Sequence, residues 1–276
     1  MKKWHAVIGD PIAQSMSPAM HDAWFVENDI DASYVPIHVA AEGLAAAVTS
    51  LKNLGCSGWN VTVPHKSAVI PFLDQLEPSA KLMNAVNTVN VLPDGTLVGS
   101  NTDGLGFVSS LEEAYGAEQC KGKKVLIIGA GGAARGIAYA LHAAGYGPIS
   151  FTNRTLEKAE QLAVDLSNST VLSIADAASS LSEFGLIVQT TTVGMNFAQP
   201  GMPLDPKKVV EGTVVADIIY NPLVTEFLAE ARKKGAQTMN GVGMFAHQGA
   251  LAFETWTGVR PNTEKMIQKI TTTLGG

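Results

Sequence analysis

The chain of 276 residues is 46% hydrophobic and only 16% charged, enough apolar material for one large core or two ordinary ones. Its formal charge of −6, with no Lys/Arg cluster, excludes a nucleic-acid surface, and no apolar run approaches the ~20 residues of a membrane span. Met1-Lys-Lys-Trp-His5 leads directly into strand sequence rather than a secretion signal, and Cys56 and Cys120 are too few for a disulfide framework, so a reducing cytoplasm is expected. The six histidines have no ligand spacing with one another or with the cysteines, and no metal site is expected.

In chain order, His5 to Gly9 reads as a strand, and Ser17-Pro18 reads as a helix start with Ser17 as its cap. Tyr34 to Val39 is a second strand, and Gly43 to Leu54 a helix stopped by Gly55. Gly58 to Pro64 is a third strand, with Asn60 and Thr62 alternating against Val61 and Val63; helical sequence is expected from Pro64-His65-Lys66 through Leu76. This β-α-β-α-β order predicts a parallel sheet. Ala85 to Leu92 and Thr96 to Ser100 flank Pro93-Asp94-Gly95, a hairpin that adds antiparallel members. After Asn101-Thr-Asp-Gly104, Leu105 to Tyr115 reads as a connecting helix.

The second half opens on Val125 to Ile128, a β-branched run long enough for one buried strand. It is followed by Gly129, Gly131 and Ala134 in G-x-G-x-x-A spacing and by helical sequence to Gly145. Strand, glycine turn and helix together are the setting in which backbone N–H groups hold the pyrophosphate of a dinucleotide. Ile149 to Thr152, Leu186 to Thr191 and Val214 to Ile219 are further strands, and Leu156 to Leu166 and Thr225 to Lys234 are helices. An apolar pattern from Met244 to Trp256 and a last helix capped by Asn262 or Thr263 close the chain. Two α/β domains are therefore expected, with a ligand cleft between them: residues 1–103 with 243–276, a mostly parallel substrate-binding sheet, and residues 104–242, a Rossmann-type domain.

For the cofactor, a carboxylate at the end of the second Rossmann strand would select NAD. That position holds Asn153-Arg154-Thr155, with Lys158 one turn on, and an arginine there grips a 2′-phosphate, so NADP is expected. In the first domain Ser15, Ser17, Asn60, Thr62, Asn87 and Thr102 sit at strand ends or in the turns that follow, where hydroxyls and amides suit a small polyhydroxylated acid. Lys66 and Asp103 are the two charged candidates; each also has an ordinary reading, as a solvated lysine at a helix start and a turn-forming aspartate.

Taken together, nine stretches in order resemble the shikimate dehydrogenase family across essentially the full chain. They are Gly9-Asp-Pro-Ile12, Ser15-Met-Ser-Pro18 with His21, Asn60-Val-Thr-Val-Pro-His-Lys66, Ala85-Val-Asn-Thr88, Asn101-Thr-Asp-Gly104, Gly129 to Arg135, Asn153-Arg-Thr155, Asp217 to Pro222, and Asn240 to Met244 with Gln248-Gly-Ala250. The resemblance implies reversible reduction of 3-dehydroshikimate to shikimate by NADPH, within chorismate and aromatic amino-acid biosynthesis, by a monomer or homodimer. It implies Lys66 and Asp103 as the catalytic pair, Ser15, Ser17 and Tyr220 around the substrate carboxylate, and Asn60, Thr62, Asn87 and Gln248 around the ring. For the cofactor it implies Gly129, Ala130, Gly131, Gly132 and Ala133 at the pyrophosphate. Asn153, Arg154, Thr155 and Lys158 would hold the adenosine phosphate, and Thr191, Ile218 and Gly241 would lie near the rest of the dinucleotide.

Four positions depart from the family's usual pattern: Gln14 for histidine, Asp22 for asparagine, Gln189 for asparagine, and Lys158 for a second arginine. Two other readings stay open, a quinate/shikimate dehydrogenase using NAD and a non-catalytic ligand-sensing relative.

Overall fold

Two six-stranded sheets carry the chain, and the computed structural model describes residues 2–196 and 198–276. They belong to two compact units, Met1–Asp103 with Gln248–Met266, and Gly104–His247 with Ile267–Gly276.

The first unit opens with β1 (Lys3–Gly9), α1 (Ser17–Glu27), β2 (Ala32–His38), α2 (Leu44–Asn53) and β3 (Gly58–Val61). It continues with β4 (Gln75–Leu76), α3 (Pro78–Met83), β5 (Thr88–Val91) and β6 (Leu97–Ser100). The sheet order is β2-β1-β3-β5-β6-β4. β1 runs parallel to β2 and β3, whereas β5 is antiparallel to both β3 and β6. The expected hairpin closes as Gly95 takes a positive φ of 85°, which glycine adopts without a Cβ penalty. This topology brings the carboxyl ends of β1, β3 and β6 and the start of β5 to one sheet edge, because Asn60 pairs with Thr88 and Thr88 with Ser100.

Three expectations change here. Residues 64–76 do not form a helix; a series of turns leads to a 3₁₀ turn at Ile70–Phe72 and then to β4, paired with β6. Tertiary pairing overrides the local propensity: the Lys66 carbonyl accepts the Val86 N–H at 2.7 Å, and Ser67 Oγ donates to the Asn84 carbonyl. Ser17 is not the cap of α1 but its first residue, its N–H bonded to Ser15 Oγ at 3.3 Å. The third strand stops at Val61, and Thr62 and Val63 lie past its end, still bonded along β1 by Thr62 N–H to the Ile8 carbonyl and Asp10 N–H to the Val63 carbonyl, both at 3.0 Å.

The second unit holds α4 (Asp103–Tyr115, but for its first residue), β7 (Lys124–Ile128), α5 (Gly132–Ala143), β8 (Ile149–Thr152), α6 (Leu156–Val164), β9 (Thr170–Leu172) and α7 (Ile174–Ser179). After β10 (Phe184–Gln189) come β11 (Val214–Asp217), α8 (Glu226–Arg232) and β12 (Gln237–Met239). The helices α9 (Val242–Thr257) and α10 (Thr263–Thr273) finish the chain. Asn262 rather than Thr263 caps the last helix, its Oδ1 accepting the Lys265 N–H at 2.9 Å. All strands of the second sheet are parallel, in the order β12-β11-β10-β7-β8-β9, the doubly wound arrangement of a Rossmann domain. Consecutive residues of β7 show why it reads as an unbroken apolar run. Val125 and Ile127 pack in one core with Ile137 and Leu141 of α5, while Leu126 and Ile128 pack in another with Phe227 and Leu228 of α8. A strand covered on both faces favours apolar residues at every position.

Candidate active site

Lys66 and Asp103 meet in the first unit. Lys66 Nζ lies 2.6 Å from Asp103 Oδ2, and their side chains are 31% and 13% exposed. An ammonium has three donors, so one held by Asp103 leaves two for a ligand. Asp103 begins α4, capped by Asn101, whose Oδ1 accepts the Asp103 N–H at 3.0 Å and whose Nδ2 donates to the Ala85 carbonyl. The carboxylate therefore sits at a helix start, where negative charge is favoured.

Asn87 supports the pair from below. Its Nδ2 donates to Asp103 Oδ1 at 2.8 Å and to Thr102 Oγ1 at 3.0 Å, with Gln248 Oε1 at 3.4 Å. Thr102 Oγ1 in turn donates to the Gln248 carbonyl at 3.0 Å. Of the residues singled out in the sequence, Lys66, Asp103, Asn60, Asn87, Thr102 and Gln248 thus join in one hydrogen-bonded group. Asn60 joins it with both Nδ2 protons, given to Thr88 Oγ1 and the Asn87 backbone carbonyl, while its Oδ1 accepts from Tyr34 Oη. Thr62 follows β3, and Gly9 at the end of β1 is packed so closely on it that an added Cβ would strike the Thr62 methyl group. Ser15 is half-buried and Ser17 buried, at the start of α1. Tyr220 belongs to the second unit, its ring 5.3 Å from that of Phe245, and burial pushes its phenol above the usual range.

In the second unit the glycine turn has the form its spacing predicts. Gly129, with φ 117°, leaves β7, and an added Cβ would run into Thr190 at the end of β10. The turn thus sits between the first and fourth strands of the doubly wound order, at the topological switch point where such sheets bind ligands. Gly131 caps α5 and Gly132 starts it, and a Cβ on either would meet no atom within 4 Å. That open space at a helix N-terminus fits an approaching pyrophosphate. Ala130 is half-buried at the turn, and Ala133 lies in the first turn of α5. Past β8, Asn153 Nδ2 donates to the Thr155 carbonyl at 2.8 Å, folding the loop that exposes Arg154. Arg154 and Lys158 are exposed, and among the described residues neither has an ion-pair partner. Two unpaired cations beside a loop without a carboxylate fit a 2′-phosphate.

Gln189 earns a role not apparent from its place at a strand end. Fully buried, it accepts the Thr191 N–H at 2.6 Å and donates to the Thr191 and Val193 carbonyls, shaping the loop after β10. Ile218 and Gly241 are in backbone contact, since a Cβ on Gly241 would overlap the Ile218 carbonyl. Just before them, Asp217 is buried, accepting from the Ile219 N–H and Thr225 Oγ1, and desolvation pushes its carboxyl up to about 6. Two residues of the site were missed from the sequence, Tyr34 and Thr88. Thr88 directly follows Asn87, but no local pattern marks Tyr34 as reaching Asn60.

Comparison with known proteins agrees with this architecture. Three family models match the chain: the shikimate dehydrogenase substrate binding domain at residues 7–89, shikimate / quinate 5-dehydrogenase at 112–218, and the shikimate 5′-dehydrogenase C-terminal domain at 241–271. A protein of Lysinibacillus sphaericus named shikimate dehydrogenase (NADP(+)) is 52% identical, with both chains covered completely. Among solved structures, a shikimate dehydrogenase in complex with NADP+ superposes with a TM-score of 0.92 at 38% identity, covering 100% of this chain and 96% of the other. The Thermus thermophilus shikimate 5-dehydrogenase with NADP(H) and shikimate superposes with a TM-score of 0.89 at 35% identity, covering 99% of this chain and 100% of the other. With its sequence matched from end to end and both sheets shared with these structures, the chain belongs to the shikimate dehydrogenase family.

Proposed function

We propose that this chain is an NADP-dependent shikimate dehydrogenase, catalysing the reversible reduction of 3-dehydroshikimate to shikimate in the pathway to chorismate and the aromatic amino acids. The observation that carries the reading is the intact Lys66–Asp103 pair, closed at 2.6 Å within a full-length family match. NADPH, when bound, supplies the hydride. Negative charge grows on the substrate oxygen as the carbonyl is reduced, and a positioned cation stabilises it. Lys66 provides that cation with two further N–H donors, and its bond to Asp103 keeps it aimed.

In this reading residues 1–103 and 243–276 form the substrate side and residues 104–242 the cofactor side. Ser15, Ser17 and Tyr220 serve the carboxylate of the substrate, and Thr62, Asn87, Gln248 and Asn60 its ring hydroxyls. Gly129 to Ala133 hold the pyrophosphate, Asn153, Arg154, Thr155 and Lys158 the adenosine phosphate, and Thr191, Ile218 and Gly241 the nicotinamide end. A monomer or homodimer acting in the cytoplasm is part of this reading, and among the described residues no helix is long and apolar enough to cross a membrane.

The test is a four-way assay of shikimate and quinate, each with NADP+ and NAD+. The expected result is turnover of shikimate with NADP+ at a kcat/KM at least tenfold above that with NAD+. NAD+ preferred over NADP+ would overturn the role of Arg154. Quinate turned over as well as shikimate would make the chain a quinate/shikimate dehydrogenase, and ligand binding without turnover a sensor.

A further inference from the structure

Beneath Lys66 and Asp103 runs a chain of hydrogen bonds whose direction is forced from both ends. The Asp103 carboxylate only accepts, so the Asn87 atom 2.8 Å from its Oδ1 is Nδ2. The backbone N–H of Thr102 only donates, so the Asn87 atom 2.9 Å from it is Oδ1. At the other end, the Asn87 carbonyl accepts from Asn60 Nδ2 at 3.0 Å, which turns Asn60 Oδ1 toward Tyr34 Oη at 2.6 Å. The phenol must therefore donate. Between the two amides, Thr88 Oγ1 accepts from Asn60 Nδ2 at 3.1 Å and gives its own proton to Asn87 Oδ1 at 2.9 Å. Tyr34, Asn60, Asn87, Thr88 and Thr102 are all buried, Thr88 completely, so water is a poor substitute partner for any of them.

Tyr34 is itself held in place. The His21 ring stacks on it with centroids 4.3 Å apart and planes 8° from parallel, and Asp22 Oδ1 accepts the Tyr34 N–H at 2.8 Å. Burial pushes the Tyr34 phenol well above its ordinary range, which keeps it a donor.

We propose that Tyr34 and Thr88 are positioning residues for the Lys66–Asp103 pair, their hydroxyls holding the oriented Asn60 and Asn87 amides in place and so the seat of the Asp103 carboxylate. The proposal rests on the reading of the site as a dehydrogenase. Neither hydroxyl needs to touch substrate. A carboxylate displaced by a fraction of an ångström misplaces the Lys66 donors, and misplacement of that kind lowers turnover more than binding.

The experiment measures kcat and KM for shikimate oxidation at saturating NADP+ in the wild-type chain and in Tyr34→Phe, Thr88→Val and Thr88→Ser. Rates are taken per NADPH-binding site, counted by fluorescence titration, so that loss of folded protein does not enter. Tyr34→Phe and Thr88→Val are expected to lower kcat by about tenfold with KM for shikimate changed by less than about twofold, and Thr88→Ser to restore kcat to within about twofold. A purely structural role would reduce the number of binding sites and leave kcat per site intact. Near-wild-type kcat per site in both variants, or Thr88→Ser as impaired as Thr88→Val, overturns the proposal. If Thr88→Val does not fold, Tyr34→Phe decides alone, since it removes one oxygen and no packing volume. A wild-type chain that does not oxidise shikimate overturns the underlying reading before any variant is compared.

Discussion

Lys66 is a lysine whose position matters more than its charge. Its Nζ is anchored by a single short bond to Asp103, and Asp103 is anchored by Asn87 and by the helix cap at Asn101. Truncation as Lys66→Ala removes the cation while leaving Asn60, Asn87 and Gln248 in place. Turnover is expected to fall by about 10²–10⁴-fold, the usual worth of a positioned proton-transfer or charge-stabilising group. Shikimate should still bind, which equilibrium titration by calorimetry would show; a variant keeping wild-type turnover would remove Lys66 from the chemistry. From sequence alone this residue is a lysine near a supposed helix start, one of many. Its partner lies 37 positions on, at a strand-to-helix junction, and only the pairing of β3 with β5 and of β5 with β6 brings the two together. Arg154 is the opposite case, because the glycine fingerprint fixes its place two elements upstream.

Elements differ in how much of their reason is local. The stops at Gly55, Gly145 and Gly235 could be read directly, since each takes a positive φ just past a helix. The glycines of the second unit separate two functions that sequence does not distinguish. Gly104 in α4 lies so near α5 that a Cβ would collide with the Gly136 carbonyl and crowd Ala140, whereas a Cβ on Gly131 would meet nothing. Gly104→Ala is therefore expected to cost about 1–3 kcal/mol through overpacking, lowering the melting temperature by several degrees in a thermal scan. Gly131→Ala, with an extended backbone that alanine accepts, should leave the melting temperature unchanged and weaken NADP+ binding. The reverse pattern would mean that Gly131 serves packing rather than the pyrophosphate. Segments 64–76, β9 and β12 were not legible for a different reason. The first follows helical propensity until long-range partners claim its backbone, and the other two are three-residue strands, one at each edge of the second sheet, without an apolar run of their own.

At the scale of the whole molecule, the two units respond to acid with opposite signs. His5 and His21 are buried in the aromatic cluster of the first unit, ringed by Phe25, Tyr34, Phe253 and Trp256. Burial, with Lys3 adding to it, lowers the His5 imidazole to about 4; burial, with His5 adding to it, lowers His21 to about 3. In both, the unfolded chain binds a proton that the folded chain refuses below pH 6.5. The stability they secure is complete above pH 6.5 and is lost as pH falls, at about 1.4 kcal/mol per pH unit for each proton. Two histidines thus cost the first unit about 5 kcal/mol between pH 6.5 and 4.5, a large share of the stability of any domain. Asp217 in the second unit has its carboxyl raised to about 6, so the folded form binds its proton first and gains about 2 kcal/mol as pH falls from 6 to 4.5. All four tryptophans, Trp4, Trp24, Trp59 and Trp256, lie in the first unit, so their fluorescence follows that unit alone. Urea unfolding watched by tryptophan emission should shift to markedly lower urea at pH 4.5 than at 6.5, while the part of the far-UV circular dichroism change that outlasts it shifts little. His5→Phe, which keeps a ring in the cluster, should make the tryptophan transition less acid-sensitive by about one proton. A transition that did not move with pH would mean that the two imidazoles are hydrated or protonated in the folded chain.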